Sequence, residues 1–198
     1  MVGRILSVIA ALLLTLPAVA NAQDASQWSG AYGGVLGSMY SGDMQYDAEA
    51  NTRPMDGNTF GLFLGYNYAT GPWVIGAELA ATKGAITTDD GPGWQFDYMV
   101  DLKARAGHAA GNVLVYGTLG GTMTQFTEDG SPPPGVIDTG SGFFYGVGVD
   151  YQISPSFFVG AEYVARDLRA KWNNSDGDLD GDLDADLNTI SLRAGLKF

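Results

Sequence analysis

Nine ionisable side chains could do chemistry together if the chain brought them to one place: Glu78, Asp97, Asp101, Lys103, Arg105, Asp150, Glu162, Arg166 and Arg193. Five acids face four bases in this set, so most can pair, as charges removed from bulk water must. A set that stays paired plugs a narrow interior; a set that rearranges passes ions. Hydrolysis is a third chemistry, and it wants a histidine beside a nucleophile. His108 is the chain's one histidine. It falls in a short connection predicted over His108 to Asn112 and reads as an exposed turn residue. Axial haem ligation there meets the same objection. Cysteine is absent, which removes thiolate nucleophiles, disulfides and Cys-based metal sites.

Two further motifs fall short of their chemistry. Asp176-Gly177-Asp178-Leu179-Asp180-Gly181 has the acids and the glycine that open a calcium-binding EF-hand loop, but Leu187 stands where the bidentate Glu belongs. The stretch reads as a solvated acidic loop with weak cation association. Gly146 and Gly148 do not make a dinucleotide fingerprint, because Tyr151 occupies the third glycine position. No catalytic residue, cofactor or metal site is therefore assigned.

The elements that carry the nine charges alternate with period two. Phe96, Tyr98, Val100, Leu102, Ala104 and Ala106 share one face against Asp97, Met99, Asp101, Lys103 and Arg105. Phe143, Tyr145, Val147, Val149 and Tyr151 oppose Phe144, Gly146, Gly148, Asp150 and Gln152, where small residues leave room in a narrow interior. The last eleven residues set Ile190, Leu192, Ala194, Leu196 and Phe198 against Thr189, Ser191, Arg193 and Lys197. A strand sends successive side chains to opposite faces, so these segments want oil on one side and a polar space on the other. A membrane barrel wall supplies both.

Eight such segments are predicted, near Trp28 to Tyr40, Thr59 to Tyr68, Trp73 to Thr82, Gln95 to Gly107, Val113 to Phe126, Gly142 to Ile153, Phe157 to Leu168 and Leu187 to Phe198. Each is long enough for a tilted crossing, and the count is even. Connections alternate in length. Ala69 to Pro72, His108 to Asn112 and Ser154 to Ser156 are tight turns, whereas 41–58, 83–94, 127–141 and 169–186 read as long polar loops. A weak internal repeat, Trp73-Val74-Ile75-Gly76-Ala77-Glu78 against Phe157-Phe158-Val159-Gly160-Ala161-Glu162, places two acids on the inner face of related hairpins.

Arg4, the apolar stretch Ile5 to Leu16 and Ala20-Asn21-Ala22 form a secretory leader, with cleavage expected before Gln23. Residues 1–22 are thus a leader and 23–198 a single domain. The net charge of −12 is concentrated in the predicted loops. An acidic surface of this kind repels nucleic acid.

Several stretches carry a resemblance: Trp28-Ser29-Gly30-Ala31-Tyr32-Gly33-Gly34, Leu102-Lys103-Ala104-Arg105-Ala106-Gly107, Val115-Tyr116-Gly117-Thr118-Leu119-Gly120-Gly121, Gly146 to Tyr151, Ala161-Glu162-Tyr163 and the closing Leu187 to Phe198. With them the chain resembles the small outer-membrane β-barrel proteins of the porin and opacity type, related in architecture to the membrane domain of outer-membrane protein A. The resemblance implies an outer-membrane location and makes Phe198 an insertion signal read by the barrel-insertion machinery. Some members are called porins, and some bind haem or host ligands. The expectation is an all-β, eight-stranded antiparallel up-and-down transmembrane β-barrel, monomeric and not an enzyme. Its lumen is expected to be plugged by charge pairs. Its partners are expected to be outer-membrane lipid and, at acidic extracellular loops, surface ligands or divalent cations. The alternatives are a narrow porin, an outer-membrane lipid enzyme, which lacks a triad, and a soluble periplasmic sandwich, which would have to expose the Phe96 to Ala106 face.

Overall fold

A computed structural model describes residues 25–46, 52–88, 94–128, 138–173 and 179–198. After a 3-10 turn at Ala25–Trp28 come eight strands: β1 (Gly30–Tyr46), β2 (Thr52–Thr70), β3 (Trp73–Thr88), β4 (Trp94–Ala110), β5 (Val113–Glu128), β6 (Asp138–Ser154), β7 (Phe157–Asn173) and β8 (Leu179–Lys197). Each strand pairs antiparallel with its sequence neighbours, and β1 pairs with β8 from Tyr32↔Lys197 to Tyr46↔Leu183, which closes the barrel. No edge remains in the lipid layer, where an unpaired backbone N–H or C=O would find no water. Among the described residues no helix is long and apolar enough to cross a membrane.

At one end the connections shrink to two residues. Thr70 pairs with Trp73 and Ala110 with Val113, leaving Gly71-Pro72 and Gly111-Asn112 as the turns. Gly71 and Gly111 have φ of 56° and 58°, a region that glycine enters without a Cβ penalty and that suits a hairpin between twisted strands. The expected turn at His108 is therefore corrected: His108 lies within β4, paired with Trp73 and exposed. Its ring meets the Trp73 indole edge-on at 5.3 Å between centroids.

At the other end the strands run well past their predicted limits. Residues expected in the loops 41–58 and 169–186 continue the ladders, with Ser41 opposite Asp56 and Arg169 opposite Asp184. The change from apolar to polar on the outer face marks the end of the lipid, and backbone pairing has no reason to stop there. Trp28 is a second correction, since it ends the 3-10 turn and lies outside β1. The leader, and the acidic positions Asp47, Glu49, Asp89, Asp90, Asp129, Asp176 and Asp178, lie outside the described residues.

The outer face is an apolar belt. On β2 it is made by Phe60, Leu62, Leu64, Tyr66 and Tyr68, all exposed, and on β8 by Ile190, Leu192 and Leu196. Going up from the short turns, the outer face switches to polar between Phe60 and Asn58 on β2, Met39 and Ser41 on β1, Met123 and Gln125 on β5, Phe143 and Ser141 on β6, and Ile190 and Asn188 on β8. Ser41 is paired with Asn188 and Met39 with Ile190, so the switch is continuous across the β1–β8 closure. Lys83, just above the belt on β3, sits 5.0 Å from the Tyr98 ring centroid, its stem on apolar surface and its charge towards water.

The ladders shift register between Gln152 and Ser154, between Trp172 and Asn173, and most extensively where β3, β4 and β5 meet. The ladder from β4 to β5 passes from Phe96↔Phe126 to Tyr98↔Gln125 and skips Asp97, and the β3–β4 ladder skips at the same level, from Lys83↔Tyr98 to Ile86↔Phe96. An extra residue shifts the face assignment by one. The side chains of Gln95, Phe96 and Asp97, beyond this bulge, lie outside the described residues.

The belt gives a direct test. Val100→Arg should destabilise the barrel by about 2–4 kcal/mol in lipid, and Asn58→Arg, above the belt, by less than about 1 kcal/mol. Urea titration of both variants in vesicles measures the difference.

Candidate functional site

The inner faces of the strands fill the lumen in three layers. Nearest the short turns is an aromatic floor of Tyr32 from β1, Phe63 from β2, Leu114 and Tyr116 from β5 and Phe158 from β7, with Trp28 packed among them. Tyr32 and Phe158 meet edge-on at 5.9 Å. Two of these rings depend on glycines of facing strands: a Cβ at Gly65 would collide with the Tyr32 ring, and one at Gly148 with the Tyr116 ring. Nearest the other end is a largely aliphatic and thioether layer of Met44, Met55, Ile86, Met99, Leu168 and Leu187, with Tyr40 among them.

Between these two lies the charge layer. Glu78 on β3 accepts from Arg193 on β8 at 2.5 and 3.1 Å and from the Tyr32 hydroxyl at 2.9 Å, and it also pairs with Lys103 at 3.1 Å and Arg105 at 3.6 Å. Lys103 also donates to Glu162 at 2.6 Å, whose second oxygen accepts from Tyr116 at 3.2 Å. Arg105 donates to Asp150 at 2.7 Å. Higher up, Arg166 grips Asp101 through two bonds of 2.7 Å each, the fork geometry that a guanidinium and a carboxylate favour. Thr189 accepts from the Arg166 Nε at 3.3 Å.

These eight residues are each at most 6% exposed. Four acids match four bases, so the described layer is neutral, and every one of its charges has an opposite charge within 4 Å. The guanidinium faces are covered as well. Arg105 lies 3.8 Å from the Tyr116 ring centroid, Arg193 4.0 Å from Phe63 and Arg166 4.9 Å from Phe144, contacts that stabilise a cation without water. Hydrogen bonding is less complete than charge pairing. The Nε atoms of Arg105 and Arg193 and Oδ1 of Asp150 have no hydrogen-bond partner, although Arg193 Nε approaches Asp150 Oδ1 to 3.6 Å.

Eight of the nine charges singled out from the sequence thus lie in one layer. Asp97, at the bulge, is the ninth, and its side chain lies outside the described residues. Sequence reasoning missed Tyr32, Tyr116, Phe63 and Phe158, which bond or stack on the charges. Their only signal was inward parity on their strands, which they share with ordinary core residues. Of the EF-hand-like stretch, Leu179 onward is β8 and pairs along β7 through Asp182↔Lys171 and Asp184↔Arg169, while Asp176 and Asp178 lie outside the described residues. Among the described residues no group of three or more His, Cys, Asp or Glu is placed to hold a metal ion. His108 is on the outer face, remote from the charge layer by orientation.

A closed antiparallel barrel with an apolar belt outside and a packed polar layer inside is a membrane-spanning outer-membrane barrel. The chain belongs to the outer membrane protein beta-barrel domain family, which it matches over residues 8–198. It is an outer-membrane protein, with the short turns periplasmic and the other end extracellular. Among solved structures it is similar to Neisserial surface protein A, at 15% identity and a TM-score of 0.52, covering 86% of this chain and 98% of that one. It is also similar to Ail, the attachment invasion locus protein of Yersinia pestis, at 18% identity and 0.49, covering 85% and 99%. OprG from Pseudomonas aeruginosa matches at 15% identity and 0.48, covering 86% and 97%. No curated protein sequence matches.

The Asp101–Arg166 pair can be isolated energetically. Arg166→Ala leaves a buried carboxylate without its partner and should cost about 3–5 kcal/mol, whereas Asp101→Leu with Arg166→Met should recover most of that loss. A double-mutant cycle from unfolding in lipid vesicles reads the coupling.

Proposed function

We propose that this protein is a closed outer-membrane scaffold that presents an acidic extracellular rim to cationic partners. The observation that carries this reading is the filled lumen: a neutral charge layer lies between an aromatic floor and an aliphatic ceiling. An eight-stranded interior is only wide enough for side chains, and these side chains occupy it. A narrow porin would need that interior open. A lipid enzyme would need a nucleophile and base together, and the lone His108 packs on Trp73 at the periplasmic side of the belt. The protein acts as a monomer without a cofactor, after loss of its leader at residues 1–22.

The rim supports the second half of the proposal. Above the belt, Asp43 on β1, Asp186 on β8 and Asp167 on β7 stand side by side in register and exposed. Asp184 and Asp56 lie close by on β8 and β2. Like charges directly opposite each other in a sheet are destabilising, and a bound cation or basic segment relieves them. Arg169 offers partial relief, at 3.7 Å from Asp167 and 3.8 Å from Asp184, in an exposed and therefore weak pairing. Ail has been crystallised with the heparin analogue sucrose octasulfate. The rim here favours ligands of the opposite charge, and nucleic acid is disfavoured on the same ground.

Assembly supplies another partner. Phe198 is 80% exposed on the outer face, and its backbone N–H donates to Ala31 O at 3.0 Å. It stands at the periplasmic edge of the seam between the first and last strands. This position suits an aromatic read by the insertion machinery while that seam is still open.

Planar-bilayer recordings of the purified barrel should show no steady conductance; a large, stable conductance at neutral pH would overturn the closed reading in favour of the porin. For the rim, a fluorescent oligolysine peptide should bind the folded barrel in neutral vesicles at low salt and be released as salt rises. The variant Asp43→Asn/Asp167→Asn/Asp186→Asn should lose most of that binding, and unchanged binding would show that the rim is not the contact surface.

A further inference from the structure

The segment Ala25–Trp28 is tied to the barrel differently from everything else described. It makes no ladder. Ala25 N–H donates to Gly71 O at 3.1 Å, and the Gln27 amide and the Trp28 indole N–H both donate to Gly111 O, at 2.5 and 3.2 Å. The two acceptors belong to the β2–β3 and β4–β5 turns, so the segment starts from the foot of β1 and reaches across the periplasmic mouth. Gly30, with φ of 115°, lets the chain swing from this strap into β1, a conformation that a residue with a Cβ adopts only under strain.

The strap holds by two buried residues, Ala25 and Trp28, of which Trp28 is the larger. Trp28 is 2% exposed and meets Phe158 edge-on at 6.4 Å, while Gln27 is exposed. Beneath it Ala109, 4% exposed, belongs to the same buried cluster, and the charge layer begins beyond the aromatic floor. The extracellular layer contrasts with this. Tyr40, Met44, Met55, Ile86, Met99, Leu168 and Leu187 all project from strands held on both sides by ladders. Moving them requires opening the barrel; moving the strap requires breaking its bonds to the barrel and withdrawing Ala25 and one indole, with no ladder to undo. Segments outside the ladders open at a lower free energy than the ladders around them.

We propose that Ala25–Trp28 is a latch that seals the periplasmic mouth, so that water and solutes reach the floor of the lumen by release of this strap and not by rearrangement of the ion pairs. The latch is independent of whether the extracellular rim binds anything.

The absence of cysteine makes the test clean. Ala109→Cys places one thiol beneath the strap, and Ala185→Cys places one in the extracellular half of the lumen, where the native alanine is 2% exposed. Folded protein in detergent, checked by its altered gel mobility before boiling, is treated with a charged maleimide. With Trp28 present, both thiols should label slowly. Adding Trp28→Ala should speed labelling at Ala109→Cys by at least about tenfold, since labelling follows the open population, and leave Ala185→Cys unchanged. Trp28→Leu, which keeps apolar bulk and loses the bond to Gly111, should give an intermediate rate and serves where the alanine variant does not fold. Equal rates with and without Trp28 would overturn the latch. Equal acceleration at both thiols would overturn it too, because Trp28 would then be an ordinary part of the barrel's core.

Discussion

In hydrocarbon a backbone amide has no water to fall back on, and the rest of this structure follows from that constraint. Every strand must be paired on both sides, so the sheet has to close, and it does so where β1 meets β8. Closure divides each strand into an outer face in contact with lipid and an inner face shut away from both lipid and bulk water. The outer face can be satisfied by any large apolar residue. The inner face is the demanding one, because eight strands enclose too little space for a water column and too much for small residues alone.

The chain meets that demand by combining two kinds of filling. Charges alone would be costly, since the desolvation of eight ions is recovered only with good geometry and complete pairing. Here each guanidinium is capped by a ring as well as matched to a carboxylate, and Tyr32 and Tyr116 lend hydroxyls to Glu78 and Glu162. The aromatic floor and the aliphatic ceiling keep water off the pairs, which strengthens them. The layers thus depend on one another: the pairs tolerate burial because rings and hydroxyls complete them, and the apolar layers can pack closely because no unpaired charge lies next to them.

The fold was legible from the sequence to the extent that it depends on period two. From Tyr98 to Ala106 and from Thr189 to Phe198, the inner and outer faces could be assigned without knowing any neighbour. The even strand count and the periplasmic turns followed from the same pattern. Strand ends were not legible, because Ser41 to Tyr46 looks polar enough for a loop yet pairs as well above the lipid as Leu36 does within it. The bulge beside Asp97 was not legible either, because a bulge leaves no mark on the composition. For the site, alternation could supply the list of charges but not the pairs. Glu78 and Arg193 are 115 residues apart in sequence and meet across the lumen, which depends on barrel tilt and side-chain reach. Trp28 was hidden for another reason: an aromatic before a glycine-rich strand reads as part of that strand.

The long-range contact between Glu78 and Arg193 bears on how the barrel closes in the correct alignment. If β8 slipped by one residue, its oily side chains would point inward and the error would be rejected by hydrophobicity alone. A slip by two residues keeps every apolar side chain facing lipid, so the belt cannot detect it. Such a slip carries Arg193 about 6 to 7 Å along its strand, out of reach of Glu78, and breaks that pair inside a buried layer. The lumen charges therefore act as teeth of a key, admitting the last strand at one setting among those that the greasy exterior would accept.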